Sequence, residues 1–243
     1  MPKSTVRTRS SASAKDGIAY HEELASGWAA AYRRGAFPAR LSLLRQVLAR
    51  NVKKGECWAD LGCGSGVLTK ELVDLGAGRV IAIDGSPGML AYAQRSVQSV
   101  PGVELEWVRG RVESLPSIHT EAIDGVLCSS VIEYVETPEA SLLEIARILK
   151  PGGRLVVSVP PKGSVVRSLQ KIARGMYRLS GRDAFTYLSV SRFEVKRASL
   201  PSLFERQGLS VSQVTAFDPI LPRFICTVLQ PALWIVEGRK LPA

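Results

Sequence analysis

Short apolar runs alternate with helical patterns from residue 57 to residue 160, and this alternation constrains the fold more than any other feature of the sequence. Such spacing is typical of a mostly parallel sheet with helices on both faces. Five strands are predicted, at Cys57–Leu61, Val80–Ile83, Val103–Val108, Gly125–Cys128 and Arg154–Val159. We therefore expect an α/β fold.

The N-terminal 54 residues are expected to divide into a tail and a cap. Residues 1–15 contain four basic residues and no acidic residue, and they lack the apolar stretch of a secretory signal peptide. A disordered basic tail is therefore predicted over residues 1–16. Residues 17–54 are predicted to form an N-terminal helical cap, with two helices separated near Gly35–Pro38.

The alternation pauses after Pro160, where a mostly helical insertion is predicted over residues 161–200. A helix over Leu200–Gln207 and two strands, at Leu209–Phe217 and Phe224–Leu229, are expected to complete the fold. No internal repeat interrupts this order. We therefore expect a single domain over residues 17–243.

A glycine-rich loop, Asp60–Gly66, follows the first predicted strand. Glycines at a strand-to-helix turn let the backbone bend sharply and let a ligand contact main-chain N–H groups. The Gly-x-Gly-x-Gly spacing differs from the Gly-x-Gly-x-x-Gly of dinucleotide-binding sheets. Asp60 favours a ligand with an ammonium group, because a carboxylate stabilises a nearby positive charge. Asp84, which ends the second strand, can accept hydrogen bonds from both hydroxyls of a ribose.

Four segments together resemble the successive motifs of class I S-adenosylmethionine-dependent methyltransferases: Asp60–Gly66, Ala82–Leu90, Arg109–Pro116 and Leu149–Gly153. The resemblance implies a Rossmann-like, seven-stranded sheet whose last strand is antiparallel, and S-adenosyl-L-methionine as the cofactor. It also implies that the glycine loop approaches the methionine part and that Asp84 holds the ribose. The cofactor-binding residues expected on this basis are Arg40, Asp60, Gly62, Cys63, Gly64, Gly66, Asp84, Gly85, Met89, Arg111, Val112, Cys128 and Ser129.

Within this class, the stretches Trp28–Arg45 and Cys128–Val135 are most similar to the ubiquinone-biosynthesis O-methyltransferases. By that resemblance, Arg40 contacts the cofactor carboxylate and Ser129 lines its pocket. The alternative for Arg40 is a solvated helix residue. Many relatives have Asp at the position of Arg111, beside the adenine, and Arg cannot accept the hydrogen bond of the adenine amino group.

A second departure from the quinone enzymes concerns metal binding. Those enzymes often carry Glu-x-x-Glu-His after the fourth strand, where this chain has Ser130, Glu133 and Tyr134. One carboxylate does not hold a catalytic magnesium ion without further ligands. We therefore predict no metal site.

The expected reaction is methyl transfer to an oxygen of a small hydrophobic or aromatic acceptor. Alignment and exclusion of water supply much of the acceleration, and an oxygen acceptor also benefits from a general base. Glu133 and Tyr134 are candidate catalytic residues, because ligands bind at the carboxyl ends of strands in open α/β sheets. His21 is a third candidate if the N-terminal helix covers the site; a surface position is its alternative.

Residues 165–179 combine two stripes on one predicted helix: an apolar one of Val165, Leu169, Ile172, Met176 and Leu179, and a basic one of Arg167, Lys171, Arg174 and Arg178. Such a helix can lie on an anionic membrane surface or hold a lipophilic substrate. The alternative is a cap helix whose apolar stripe packs on the sheet and whose basic face is solvated. Residues 1–55 and 161–243 each carry a net charge of +8, which also favours an anionic partner.

Scattered cysteines and the lack of a spanning apolar run indicate a cytoplasmic protein, peripheral at a membrane if the helix binds lipid. Two other functions stay open. The isoelectric point near 9.7 favours an RNA methyltransferase, yet only 7% of residues are aromatic, so nucleic acid is not the expected partner. The other is a cofactor-binding scaffold that has lost its chemistry. The oligomeric state is not predicted.

Overall fold

The computed structural model describes residues 16–33, 35–221, 225–227 and 229–242. Its strands are β1 (Cys57–Leu61), β2 (Arg79–Asp84), β3 (Glu104–Arg109), β4 (Ile123–Cys128), β5 (Leu149–Val159), β6 (Leu209–Phe217) and β7 (Leu233–Lys240). Its α-helices are α1 (Gly17–Ala31), α2 (Phe37–Asn51), α3 (Val67–Asp74), α4 (Pro87–Ser96), α5 (Pro138–Ile148), α6 (Val165–Leu179) and α7 (Leu200–Glu205). Strands and helices alternate from β1 to β5, as the sequence predicts.

The described strands form one seven-stranded sheet in the order β3-β2-β1-β4-β5-β7-β6. β1 pairs in parallel with β2 on one side and β4 on the other, whereas β7 is antiparallel to β5 and β6. The expected Rossmann-like, mostly parallel fold is confirmed. The strand order reverses between β1 and β4, and ligands bind at such a switch point outside the carboxyl ends of the strands.

Helices cover both faces of the sheet, because successive side chains of a strand point to opposite sides. Trp58 of β1 belongs to a buried cluster that includes Leu44 of α2 and Leu72 of α3. Its neighbour Ala59 belongs to the cluster on the other face, with Leu142 of α5 and Phe204 of α7. Of the two predicted cap helices, α2 therefore belongs to the core of the domain.

The prediction of a last strand at Phe224–Leu229 is wrong. A short 3-10 helix occupies Ile225–Thr227, and β7 begins at Leu233. Proline cannot donate to a strand ladder, so Pro231 favours a strand that begins after it. The apolar stretch that suggested the earlier strand leads into β7 instead.

β7 is hard to predict from the sequence because it contains a charged residue, Glu237, at a buried position. Glu237 lies in the middle of the strand, is 4% exposed, and accepts hydrogen bonds from Arg50 and Asn51 of α2 at 3.0 and 2.7 Å. A buried carboxylate is tolerated when it is paired and hydrogen-bonded. The charge in the strand is therefore balanced by a helix nearly two hundred residues earlier in the chain.

The predicted tail at residues 1–15 lies outside the described residues. Asp16, assigned to that tail, instead caps α1: its Oδ1 accepts a hydrogen bond from the N–H of Ile18 at 3.3 Å. The insertion over residues 161–200 is mostly helical, with α6 followed by 3-10 helices at Thr186–Ser189 and Arg197–Ser199. In the described part of the chain, no helix has the length and apolar character to cross a membrane.

We predict that Gly125→Ala lowers the free energy of unfolding by about 2 kcal/mol, a typical overpacking cost. Gly125 of β4 pairs with Trp58 of β1, and an added Cβ would lie 2.2 Å from the Trp58 ring. Urea unfolding followed by circular dichroism measures the change. Gly175→Ala in α6 is the control, because nothing lies within 4 Å of its Cβ position. Equal unfolding midpoints for Gly125→Ala and the unmutated chain would contradict the prediction.

Candidate active site

The glycine loop between β1 and α3 bends over the carboxyl end of β2. The N–H groups of Gly62 and Cys63 both donate to Ile83 O, at 2.7 and 2.9 Å. Gly62 and Gly64 have φ values of 70° and 53°, in the left-handed region that glycine tolerates. A Cβ on Gly62 would also lie 2.2 Å from Cγ2 of Val131. Glycine at Gly62 therefore lets the main chain of the loop line a cavity.

Asp60 lies near the carboxyl end of β1, is 2% exposed, and faces the same cavity. Burial raises the pKa of Asp60 to about 7; the nearby Asp84 adds to the rise, while the hydrogen bond from Thr69 opposes it. An opposite charge beside a carboxylate favours the ionised form. The site is therefore suited to a ligand that brings an ammonium group to Asp60.

Asp84 ends β2 and faces the cavity from the other side of the loop. Its Oδ2 accepts a hydrogen bond from the N–H of Gly64 and its Oδ1 accepts one from the N–H of Ser86, both at 2.8 Å. Burial raises the pKa of Asp84, and these two bonds counteract the rise. An ionised carboxylate has about four acceptor positions. Each oxygen can therefore accept a further bond from a ligand hydroxyl.

Arg40 of α2 reaches the end of β4. Its Nη2 donates to Oγ of Ser129 at 2.7 Å, and both residues line the cavity. Its Nε is buried and has no hydrogen-bond partner. A buried donor without a partner costs free energy, which a ligand acceptor can recover. Arg40 is thus not a solvated helix residue.

Two residues of the predicted cofactor-binding set do not line the cavity. The side chain of Cys128 is fully buried in the hydrophobic core, in the cluster that includes Leu61 and Ile132, and it does not line the cavity. Gly66 is the N-cap of α3, with φ 79°, and its role is local. A Cβ there would lie 2.7 Å from Cγ2 of Val97 on the far side from the cavity lining.

Helix α1 covers the cavity, and polar contacts at three places hold it there. They join Asp16 to Arg111 (3.1 Å), Glu22 to Ser86 (2.5 Å) and Gly88 (2.9 Å), and Tyr20 to Thr186 (2.8 Å). These partners belong to the loop after β3, the start of α4 and the insertion. The helix is therefore fastened on several sides of the site.

Arg111, predicted beside an adenine, lines the cavity but is engaged by acids. Its guanidinium lies 3.1 Å from Asp16 and 3.5 Å from Glu113. Its neighbour Val112 is 5% exposed and also lines the cavity, as do Gly85 and Met89. The residue that departs from the family pattern thus ties α1 to the sheet.

His21 lies in the middle of α1 and lines the cavity. Its Nδ1 lies 2.7 Å from the main-chain O of Gly17. A carbonyl oxygen can only accept, so Nδ1 carries the proton and, in the neutral ring, Nε2 is an acceptor. The ring centroids of Tyr20, Trp28 and Tyr134 lie 5.1, 5.1 and 4.9 Å from that of His21. His21 therefore offers a neutral base held among aromatic rings.

Glu133 is 3% exposed and already paired. Arg167 Nη1 and Ser191 Oγ each donate to its Oε2 at 3.0 Å, and its main-chain O accepts from the N–H of Arg192 at 2.7 Å. These three hydrogen bonds tie the side chain and the main chain of Glu133 to residues of the insertion. Glu133 thus connects the insertion to the end of β4.

Tyr134 follows Glu133 and lines the cavity. Burial raises the pKa of Tyr134 well above its ordinary value, so the phenol stays neutral. Its ring packs against His21, and its Cβ would be 2.7 Å from a Cβ added to Gly17 of α1. Tyr134 therefore acts as a wall of the site rather than as a base.

Sequence reasoning missed Arg167 as a site residue. The basic stripe predicts a solvated side chain, whereas Arg167 is 5% exposed and lines the cavity beside Tyr187, whose ring lies 5.6 Å from its guanidinium carbon. Glu133 and Arg167 are far apart in sequence, and only the tertiary fold brings them together. The sequence gives no signal that an acid after β4 and an arginine at the start of α6 form a buried pair.

The cavity has a volume of about 410 Å³. Its lining combines the charged groups of Arg40, Asp60 and Asp84 with aromatic side chains. The rings come from Tyr20, Trp28, Phe37, Tyr134, Tyr187 and Phe217. Charged side chains and aromatic rings therefore line the same cavity.

Residues 59–157 match the family described as a methyltransferase domain. The chain is 30% identical over 174 residues to a ubiquinone biosynthesis O-methyltransferase of Xanthomonas axonopodis pv. citri, covering 71% of this chain and 70% of that protein. The chain belongs to the class I S-adenosylmethionine-dependent methyltransferases. This methyltransferase is an enzyme whose cofactor is S-adenosylmethionine.

Other relatives match over shorter stretches. This methyltransferase is 36% identical over 135 residues to the mitochondrial ubiquinone biosynthesis O-methyltransferase of Schizosaccharomyces pombe, covering 54% of this chain and 47% of that protein. It is 38% identical over 120 residues to an uncharacterized protein of transposon Tn4556 from Streptomyces fradiae, covering 46% and 32%. The match thus spans less than half the length of these two relatives.

Solved structures share the fold of this methyltransferase. A putative methyltransferase from Haloferax volcanii, in complex with the Trm112 activator, has a TM-score of 0.68 at 22% identity, covering 95% of this chain and 100% of that one. Magnesium protoporphyrin IX methyltransferase from Synechocystis, with bound SAH, has a TM-score of 0.62 at 20% identity, covering 93% and 88%. The overall fold is therefore common to all three.

We predict that cofactor binding to this methyltransferase releases protons and strengthens as the pH rises through about 7. Asp60 has a pKa of about 7 without ligand, and it must lose its proton to pair with the ammonium of S-adenosylmethionine. Calorimetry at about pH 6.5, in buffers of different ionisation enthalpy, counts the protons released. Affinity that does not change between about pH 6 and 8 would contradict this coupling.

Asp60→Asn is the matched variant, because asparagine keeps the shape of the side chain and cannot ionise. It should bind the cofactor about tenfold or more weakly and release no proton. Because burial raises the pKa of Asp60 in the folded state, the contribution of Asp60 to stability is lost as the pH rises from about 4 to about 7. The free energy of unfolding of Asp60→Asn, relative to the unmutated chain, should rise over that window.

We predict that Glu133→Gln lowers the free energy of unfolding by about 3 kcal/mol, because it removes the closer of the two countercharges of the buried Arg167 and leaves only Glu194, 3.5 Å from Nε. Arg167→Met should have a similar effect, and the double variant should be less destabilised than the sum of the two. Urea unfolding of the four proteins measures this coupling. Glu136→Gln is the control: its pair with Arg192 is exposed, and the change should be below about 1 kcal/mol. Additive effects of the Glu133 and Arg167 changes would overturn the assignment.

Proposed function

We propose that this methyltransferase transfers a methyl group to an oxygen of a small aromatic or lipophilic acceptor. The observation that carries the proposal is the aromatic lining of the cavity that also contains Arg40, Asp60 and Asp84. Aromatic side chains bury apolar molecules and stack on rings. The similarity to proteins named ubiquinone biosynthesis O-methyltransferases supports an oxygen acceptor.

The proposed cofactor contacts follow from the charges on the cavity wall. Asp60 pairs with the ammonium, Arg40 and Ser129 take the carboxylate, and Asp84 accepts from the ribose hydroxyls. The main chain of Gly62, Cys63 and Gly64 lies along the methionine part, and Gly85, Met89 and Val112 surround the adenosyl part. The buried Nε of Arg40, which has no protein partner, supports an acceptor group at that position.

S-adenosylmethionine supplies a methyl group already activated by its sulfonium. The contribution of this chain is then to hold the acceptor in line, to exclude water and to take one proton. We assign the proton to Nε2 of His21, while Nδ1–H continues to donate to Gly17 O. Asp84 lies close enough to His21 for the two side chains to interact electrostatically, although burial raises the pKa of Asp84 overall.

The proposal involves no metal ion, as the sequence predicts. In the ranges that the structure describes, no group of three or more His, Cys, Asp or Glu side chains could hold one. A cytoplasmic site of action is also part of the proposal. All four cysteines lie in the described ranges and none forms a disulfide, which is common in reducing compartments.

The test of the acceptor class uses methyl-labelled cofactor, a lipid-soluble cell extract and a matched RNA fraction, followed by mass spectrometry. We expect label on an oxygen of a ring-containing or lipophilic compound. Label in RNA alone, or on nitrogen of a polar compound, would overturn the proposal. Cofactor binding with no product in any fraction would leave the cofactor assignments standing and would overturn the acceptor assignment.

We predict that His21→Gln lowers kcat by about a hundredfold or more with a phenolic acceptor and changes cofactor affinity little. Glutamine can keep the helix and the hydrogen bond to Gly17 but cannot take the proton. The loss should shrink for acceptors with more acidic hydroxyls, because these need less help from a base. Tyr134→Phe is the control and should keep kcat within a few-fold. An equal loss across acceptors of different acidity would show that His21 only positions the substrate.

A further inference from the structure

The apolar stripe of α6 faces solvent. Leu169, Ile172, Met176 and Leu179 are 58%, 62%, 61% and 91% exposed. At about 100° per residue, these side chains fall within an arc of about 80° on one side of the helix. The sequence-based alternative, in which this stripe packs on the sheet, is therefore wrong. A row of four large exposed apolar side chains on one helix marks an interaction surface.

The opposite side of α6 is fixed to the domain. Val166 and Arg167 are each 5% exposed, and they line the cavity together with Gln170. The buried pair of Arg167 with Glu133 holds this side in place. The apolar stripe is thus presented outward by a helix that cannot turn it inward without breaking a buried ion pair.

The segment that carries the stripe is positively charged. Residues 161–182 contain six basic residues and no acidic residue. On α6, Arg178 is exposed, and Lys171 is exposed and pairs with Glu194 at 2.9 Å. At about 100° per residue, both lie more than about 100° from the centre of the stripe, on the polar side of the helix. Near the start of α6, Pro161 pairs with Val195. This pairing brings Lys162 close to Lys196 and Arg197, and the three side chains line a shallow cleft. A ligand for this face must therefore accept apolar side chains and carry negative charge.

We propose that the outer face of α6 docks on an anionic lipid bilayer. An interfacial helix buries its apolar stripe among acyl chains while flanking cations contact lipid headgroups. A second copy of the chain fits this face less well, because a twofold contact through α6 would bring two positively charged segments together, while the neighbouring acid, Glu194, already pairs with Lys171 of its own chain. Charge complementarity thus favours the bilayer over self-association.

The docking surface adjoins the aromatic cavity. One side of α6 forms the stripe, and Val166, Arg167 and Gln170 on its other side form part of the cavity wall. Docking therefore places the cavity beside the lipid phase from which a lipophilic acceptor would enter. This last step rests on the proposed function, whereas the docking itself does not.

The test is co-sedimentation of the full chain with vesicles of neutral phosphatidylcholine and with vesicles that also contain phosphatidylglycerol. We expect binding to the anionic vesicles that decreases with salt, and at least tenfold weaker binding to the neutral ones. Ile172→Glu with Met176→Glu should abolish binding. Arg178→Gln with Arg182→Gln should weaken it about tenfold. Neither acceptor nor turnover is needed, so the result is independent of the proposed reaction.

The controls separate the surface from general effects. Leu143→Glu changes an equally exposed apolar residue of α5, and Arg95→Gln with Arg206→Gln removes the same charge elsewhere; all should bind vesicles normally. Calorimetry with the cofactor checks that each variant is folded. No sedimentation with anionic vesicles, or equal binding to neutral ones, would overturn the proposal. So would a dimer, seen by analytical ultracentrifugation, that only Ile172→Glu with Met176→Glu dissociates.

Discussion

The parallel pairing of β1 with both β2 and β4 is the constraint on which the site depends. It sets the ends of three strands side by side, so that Asp60, Asp84 and Ser129 meet although they are far apart in sequence. The glycine loop then hydrogen-bonds to Ile83 and brings main-chain groups over the same edge. The charges that face the cavity are thus positioned by the register of the strands.

Two helices outside the sheet, α1 and α6, form further walls of the cavity, and charged side chains attach each of them to the domain. Asp16 and Glu22 fasten α1 to the loops after β3 and β2, while Glu133 fastens α6 through Arg167. The pair of Asp16 with Arg111 is exposed and therefore weak, whereas the pair of Glu133 with Arg167 is buried and costly to break. The hydrogen bond of Glu22 with the buried Ser86 lies between these two cases.

The features that the sequence predicts well are those with local causes. The strands from β1 to β5 have apolar runs bounded by glycine or proline, and Asp60 and Asp84 are recognisable from their spacing around the loop. The features that it conceals depend on distant partners. β7 contains Glu237, which looks like a surface acid until Arg50 and Asn51 are placed against it. Arg167 looks solvated for the same reason, because its partner follows a different strand.

The candidate base illustrates the same limit. From the sequence, Glu133 and Tyr134 are candidates because they follow the fourth strand, and His21 is a candidate only if the N-terminal helix covers the site. The fold distinguishes them by their partners: an arginine for Glu133, a buried ring environment for Tyr134, and a carbonyl that fixes the proton on one nitrogen of His21. Side-chain chemistry was visible in the sequence, but the protonation state of the ring was not.

The position of His21 on α1 has a kinetic consequence. The helix that covers the cavity also carries the group proposed to take the proton. Under that proposal, a displacement of α1 that admitted water would also move Nε2 of His21 away from the acceptor. Exclusion of water and proton transfer would then depend on the position of one helix.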